Sequence, residues 1–165
     1  MRTRGAAVSA GDRTDEPRGA AAIREHGAVL GRVCMALLGD AGAAEWALER
    51  VAAEAGAAKV DDSKDILARL MGMVRAACAN QLSKPPIRTD RAPETAPERR
   101  PQGEATLARA ALGELKPTER EAVVLHIVGG LDAAHVAEAC GIDLATARSR
   151  IARGVAQLVE EEKHR

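Results

Sequence analysis

The sequence predicts an all-α protein of two small helical domains joined by a flexible linker, and three observations carry that prediction. Alanine, leucine, arginine and glutamate dominate the 165 residues, and all four are good helix formers. No run alternates apolar with polar residues for long enough to read as a sheet. Between Ser83 and Gly103 the chain reads SKPPIRTDRAPETAPERRPQG, a polar, proline-punctuated stretch that divides it in two.

Residues 1–20 mix Gly, Ala, Ser, Arg and Asp without period and are expected to be disordered. A helical domain is expected over 21–83, the linker over 84–103 and a second helical domain over 104–165. Proline extends the linker, so the halves can sit apart on a large partner. Its basic residues (Lys84, Arg88, Arg91, Arg99, Arg100) outnumber its acids (Asp90, Glu94, Glu98), a weak bias that fits a nucleic-acid channel and equally fits ordinary solvation.

The segment LKPTEREAVVLHIVGGLDAAHVAEACGIDLATARSRIARGVAQL, from Leu115 to Leu158, reads as two short helices and a longer one. Pro117 suits a first helical turn, and Ala122, Val123, Leu125 and Ile127 follow before Gly129-Gly130 ends that packing helix. Asp132 is the next N-cap, Ala133, Val136, Ala137 and Cys140 form one apolar stripe, and Gly141 supplies the turn, probing positive φ. Asp143 caps the last helix, on which Ala147, Ile151, Val155 and Leu158 recur every three or four residues as far as about Glu161.

The other face of that helix carries Thr146, Arg148, Ser149, Arg150 and Arg153. In a helix-turn-helix the second helix lies in the major groove with its N-terminal residues at base edges, where arginine grips guanine or phosphate. A lone RSR triplet is more often a solvated face. Here a glycine turn, two capped helices and cations on the face left free by the apolar residues coincide, which favours contact with DNA.

These residues resemble region 4 of the extracytoplasmic-function group of sigma factors, with its Leu-x-Pro-x-x-Arg opening, Glu-Ile-Ala helix, Gly-Ile-Ser turn and Thr-Val-Lys-Ser-Arg helix; TARSRIARG is the closest piece. His135-Val136-Ala137 stands where Glu-Ile-Ala is usual, Asp143 where serine is common and Ala147 where valine is common, and none of these exchanges is expected to change the physics much. The same three-helix plan also serves two-component response regulators. GDAGAAEWALERVA resembles the start of sigma region 2, with Gly39, Asp40, Ala44, Glu45 and Val51 matching, and Trp46, Glu49 and Ala52 replacing the family's aspartate, glutamine and phenylalanine. ILARLMGMVRAACANQLSK is similar to a later region 2 helix and keeps Leu70, Arg75 and Leu82. The resemblance implies a region 2-like bundle and a region 4-like helix-turn-helix, with RNA polymerase core and promoter DNA as partners and an anti-sigma factor as a further candidate. It places DNA contacts at Thr146, Arg148, Ser149, Arg150 and Arg153, and polymerase contacts at Glu45, Trp46 and Glu49.

Other chemistry is poorly supported. Lys plus Arg and Asp plus Glu are 24 each, so no global field attracts phosphate and autonomous affinity for DNA should be low. Cys34, Cys78 and Cys140 are far apart in sequence on apolar faces and read as buried thiols, and the dispersed histidines lack ligand spacing, so no metal or other cofactor is expected. No nucleophile has a plausible base, there are no paired carboxylates in an apolar setting and no phosphate loop, which argues against an enzyme. The apolar runs are too short for a membrane span, and a soluble, cytoplasmic protein is expected.

With no Phe, no Tyr and one Trp, the chain lacks the aromatic platforms that usually hold unpaired bases. The leading expectation is therefore an extracytoplasmic-function-type sigma factor whose promoter melting is weak. The runner-up is a degenerate sigma-like regulator that binds DNA or polymerase without melting promoters, and a purely protein-binding helical adaptor is a third reading.

Overall fold

The computed structural model describes residues 18–57, 65–83 and 103–163. The disorder expected over the first residues and the linker over 84–102 lie outside the described residues, although the first helix already begins at Arg18. Among the described residues the fold is all α. Three helices form the N-terminal half: α1 (Arg18–Leu38), α2 (Ala41–Ala57) and α3 (Ile66–Leu82). The C-terminal half holds α4 (Glu104–Glu114), α5 (Pro117–Val123), a π-helical turn (Val124–Val128), α6 (Ala133–Cys140) and α7 (Leu144–Lys163).

Local chemistry fixes the joints. The Asp40 carboxylate accepts the Ala43 N-H at 2.7 Å and starts α2, where a free helix N-terminus would leave that donor unpaired. Pro117 occupies the first turn of α5 as its missing N-H allows. Arg120, the arginine of the Leu-x-Pro-x-x-Arg opening, donates to the carbonyls of Gly113 and Leu115 at 3.2 and 3.3 Å. It thus closes the C-terminal end of α4 and sets the α4–α5 corner.

The packing helix expected to run unbroken to Gly129-Gly130 instead widens after Val123, and Gly129 donates to the Val124 carbonyl at 3.0 Å, five residues back. Widening the turn keeps Val124 and Leu125 buried but turns Ile127 outward, where it is 59% exposed. Ile127 is therefore not part of the core that its sequence position suggests.

Leu30, Val33, Cys34, Val51, Leu70, Met71 and Val74 fill the N-terminal half, and Val124, Leu125, Val136 and Ala147 the other, within one continuous buried cluster. Cys34 and Cys78, far apart in sequence, meet on α1 and α3. Their mutual hydrogen bond, followed by burial, pushes the Cys78 thiol far above the usual thiol range, so it is an inert packing group.

The two halves are packed together: α3 lies on α6, and α1 touches the π-helical turn. Gly72 makes the first of these contacts close, since a Cβ there would sit 3.4 Å from the Ala139 carbonyl oxygen. Arg75 Nε donates to that same oxygen at 3.2 Å, and its Nη1 lies 3.7 Å from Glu121 Oε2.

Candidate DNA-contact face and polymerase-facing helix

The helix-turn-helix is built by three consecutive local signals. Asp132 accepts the N-H groups of Ala134 and His135, both at 2.9 Å, to start α6. Gly141 ends it at φ 64°, ψ 39°, and the Ile142 N-H returns to the Ala137 carbonyl at 3.0 Å, so the chain reverses through a left-handed cap that a side chain would strain. Asp143 then accepts from the Thr146 N-H at 2.8 Å and starts α7. The Asp132 carboxyl is held below the usual carboxylate range first by the His135 N-H, and that of Asp143 first by the Thr146 hydroxyl.

Ala147 and Gly154 are the buried positions of α7, and Ile151, Val155 and Leu158 lie beside them half-buried. With each residue advancing about 100° around a helix, Thr146, Ser149, Arg150 and Arg153 fall on one side of α7, with Ser149 farthest from the core and Arg150 at the core's edge. Ser149 and Arg153 are exposed, while Thr146 and Arg150 are half-exposed. Arg148 is also exposed but lies roughly 200° around from Thr146, on the far flank. The structure thus groups four of the five expected contacts and sets Arg148 apart.

Two of the four have additional partners. The Thr146 hydroxyl donates to Asp143, so it has only lone pairs left for a ligand and cannot donate to phosphate while the cap is intact. Arg153 Nε lies 3.5 Å from Glu119 Oε1 on α5. Glu119 is the buried charged residue of this half, a role that nothing in the sequence distinguishes from a surface acid of an amphipathic helix.

In the N-terminal half, Glu45 and Glu49 are exposed one turn apart on α2. Trp46 is turned partly inward against the core, and the Arg50 guanidinium stands 5.6 Å from its ring centroid. The expected polymerase-contact residues are therefore two acids on the free face and one half-buried aromatic at its edge.

Residues 106–158, which contain α5, α6, most of α7 and the whole basic face, match the family "Sigma-70, region 4". That match makes the C-terminal half of the chain similar to sigma-70 region 4. Two solved structures share the fold across both halves of this chain. CnrH, solved in complex with the cytosolic domain of CnrY, aligns with TM-score 0.70 and 16% identity over 92% of this chain and 91% of its own. The sigma factor RpoE from Bartonella quintana, solved in complex with the anti-sigma factor NepR, aligns with TM-score 0.65 and 22% identity over 85% of this chain and 95% of its own. Among curated protein sequences none matches significantly.

Proposed function

We propose that this chain is a sigma factor of the extracytoplasmic-function type, which acts in transcription initiation by docking α2 on the RNA polymerase core and presenting α7 to duplex promoter DNA. The observation that carries this reading is the cationic side of α7, clear of its buried stripe and inside the region 4 match. Its physical logic is a division of labour. Arg150, Arg153 and Ser149 read or grip DNA locally, while the balanced net charge leaves long-range attraction to the polymerase. On this reading Glu45 and Glu49 face a basic surface of the core, with Trp46 as the apolar edge of that contact. The chain works without catalysis of its own, in the cytoplasm where the polymerase is; no helix of the described residues is long and apolar enough to cross a membrane.

An anti-sigma partner of the kind named for RpoE fits the same reading. Apolar clefts on either side of α4, one of them about 610 Å³ and lined by Leu107, Leu112, Ile127, Val128 and Leu158, give a helical partner surface to cover. A second reading, a regulator that docks on DNA or polymerase without melting promoters, is favoured by the lack of Phe and Tyr.

Copurification with tagged polymerase core tests the proposal directly. The chain should coelute with core, and Glu45→Lys/Glu49→Lys should abolish coelution while leaving the helical circular dichroism unchanged. Absence of any wild-type association would remove the sigma reading.

A further inference from the structure

The seam between the halves carries a side-chain arrangement that the sigma function does not use. His135 is on α6 and stands where the resembling sequences have glutamate. Its Nε2 lies 3.0 Å from Asp65 Oδ1, at the start of α3, and its Nδ1 lies 2.9 Å from Asp132 Oδ1, at the start of its own helix. The ring is thus bracketed by two carboxylates, one from each half of the molecule.

Carboxylates only accept hydrogen bonds, so both ring nitrogens must donate, and only the imidazolium has two N-H groups. A neutral ring would keep one bond and aim a lone pair at the other carboxylate, turning attraction into repulsion across the seam. Glutamate at this position would face two like charges and could not make the bridge at all.

We propose that His135 is a proton-dependent latch: as an imidazolium it ties α6 to Asp65 and holds the two halves closed, and losing its proton favours their separation. The chain from Ser83 to Gly103 could span roughly 70 Å when extended, so release permits the halves to reach well-separated sites on a polymerase-promoter complex. The sign follows from the bracket: the two carboxylates favour the closed form while the ring is protonated and the open form once it is neutral.

Neighbouring groups do not supply the same switch. On α3, Arg69 is exposed one turn beyond Asp65, and Arg75 is paired with Glu121 on α5. On α6, Glu138 is exposed, and burial pushes the Cys140 thiol up, away from it. On α7, Arg150 sits near Cys140 and Asp143 is held below the usual carboxylate range. The π-helical turn carries His126, whose Nδ1 lies 2.6 Å from the Leu131 carbonyl and which bridges no second element.

The test is hydrogen exchange of the full chain from pH 5.5 to 8, corrected for the intrinsic pH dependence of amide exchange and read at the α3 amides, on the opposite side of the seam from His135. In wild type the opening equilibrium of α3 should rise about tenfold across the range, the scale of a charge-assisted bond exchanged for a repulsive contact. His135→Gln and Asp65→Asn should be pH-independent and hold the more open value throughout, whereas His126→Gln should keep the wild-type response. Constant α3 protection in wild type, or a wild-type response in His135→Gln, overturns the latch. Because the measurement uses neither DNA nor polymerase, its failure would leave the sigma reading standing.

Discussion

Glu119 Oε1 lies 3.5 Å from Arg153 Nε, joining a carboxylate that is 7% exposed to a guanidinium side chain that is 63% exposed. The pair links α5 to the DNA-facing side of α7, and the two partners stand in unequal positions. Removing Arg153 strands a buried charge, whereas removing Glu119 merely frees a solvated one. Arg153→Ala should therefore destabilise the fold by about 1–3 kcal/mol, against less than about 0.5 kcal/mol for the exposed Arg148→Ala. Urea denaturation of the two variants checks this, and equal midpoints would show that Glu119 is adequately solvated without its partner.

The same geometry ranks the arginines for binding. Arg150 and Arg153 lie on the same side of α7 as Thr146 and Ser149, and Arg148 does not, so Arg150→Ala and Arg153→Ala should each weaken promoter binding by polymerase holoenzyme by about 1–3 kcal/mol. Arg148→Ala should cost less. A base contact will relax preference at one promoter position, while a phosphate contact will weaken all sequences alike. Unchanged binding by the triple alanine variant would remove α7 from the interface.

Two glycines should respond to substitution for different reasons. Gly141→Ala places a side chain at φ 64° and should cost about 1 kcal/mol through backbone strain alone, since nothing lies within 4 Å of the added atom. Gly154→Val acts through packing, because its Cβ would meet Val123 Cγ2 at 2.5 Å, and should cost about 1–3 kcal/mol as α7 is pushed from α5. Gly113→Ala on α4, with open space around it, is the control and should be neutral or stabilising. Thermal melts of the three variants compare them directly.

Acid should loosen the helix-turn-helix through its caps. The folded Asp132 and Asp143 carboxyls are held below their unfolded values, so their stabilising contribution is complete above the unfolded carboxylate range and is lost as pH falls through the lowered folded values. Stability should thus decrease below about pH 4, and Asp132→Asn/Asp143→Asn should flatten that slope while lowering stability at pH 7. A double variant with the wild-type slope between pH 2 and 4 would place the acid sensitivity elsewhere.

Melting of promoter DNA is the step for which this sequence is least equipped. Without Phe or Tyr, open complexes should be short-lived on duplex templates. With polymerase core, transcription from a mismatched bubble template should exceed that from the matched duplex by at least roughly tenfold, a barrier difference of about 1.4 kcal/mol. Equal output would mean that melting is intact; core binding without output from either template would favour the non-melting regulator.

The helix-turn-helix was legible in the sequence because each of its signals is local. Asp132, Gly141 and Asp143 act on backbone within three or four residues, and α7 shows its apolar stripe over several turns. Ile127 was misplaced because periodicity assumes constant pitch, and a π-helical turn changes the pitch partway along. His135 looked like a harmless exchange for glutamate, since its neighbour Asp65 is seventy residues away and belongs to the other half. Glu119 was invisible for a related reason: its burial depends on how α7 crosses α5. The basic face itself could be read residue by residue, and the helical step alone sets Arg148 apart, but the half-burial of Arg150 required the orientation of α7 to be fixed.

Trp46 has one further consequence. In a chain with a single tryptophan and no tyrosine, all near-ultraviolet emission originates on α2, from a ring that is neither fully shielded nor fully wet and has a guanidinium over its face. The molecule therefore contains a built-in optical reporter at the helix assigned to polymerase docking, readable without labels and undiluted by other fluorophores of its own. Opening of α2 from the core would shift that emission to longer wavelength, and covering of its edge by a partner would shift it to shorter wavelength, so the two events are distinguishable by sign.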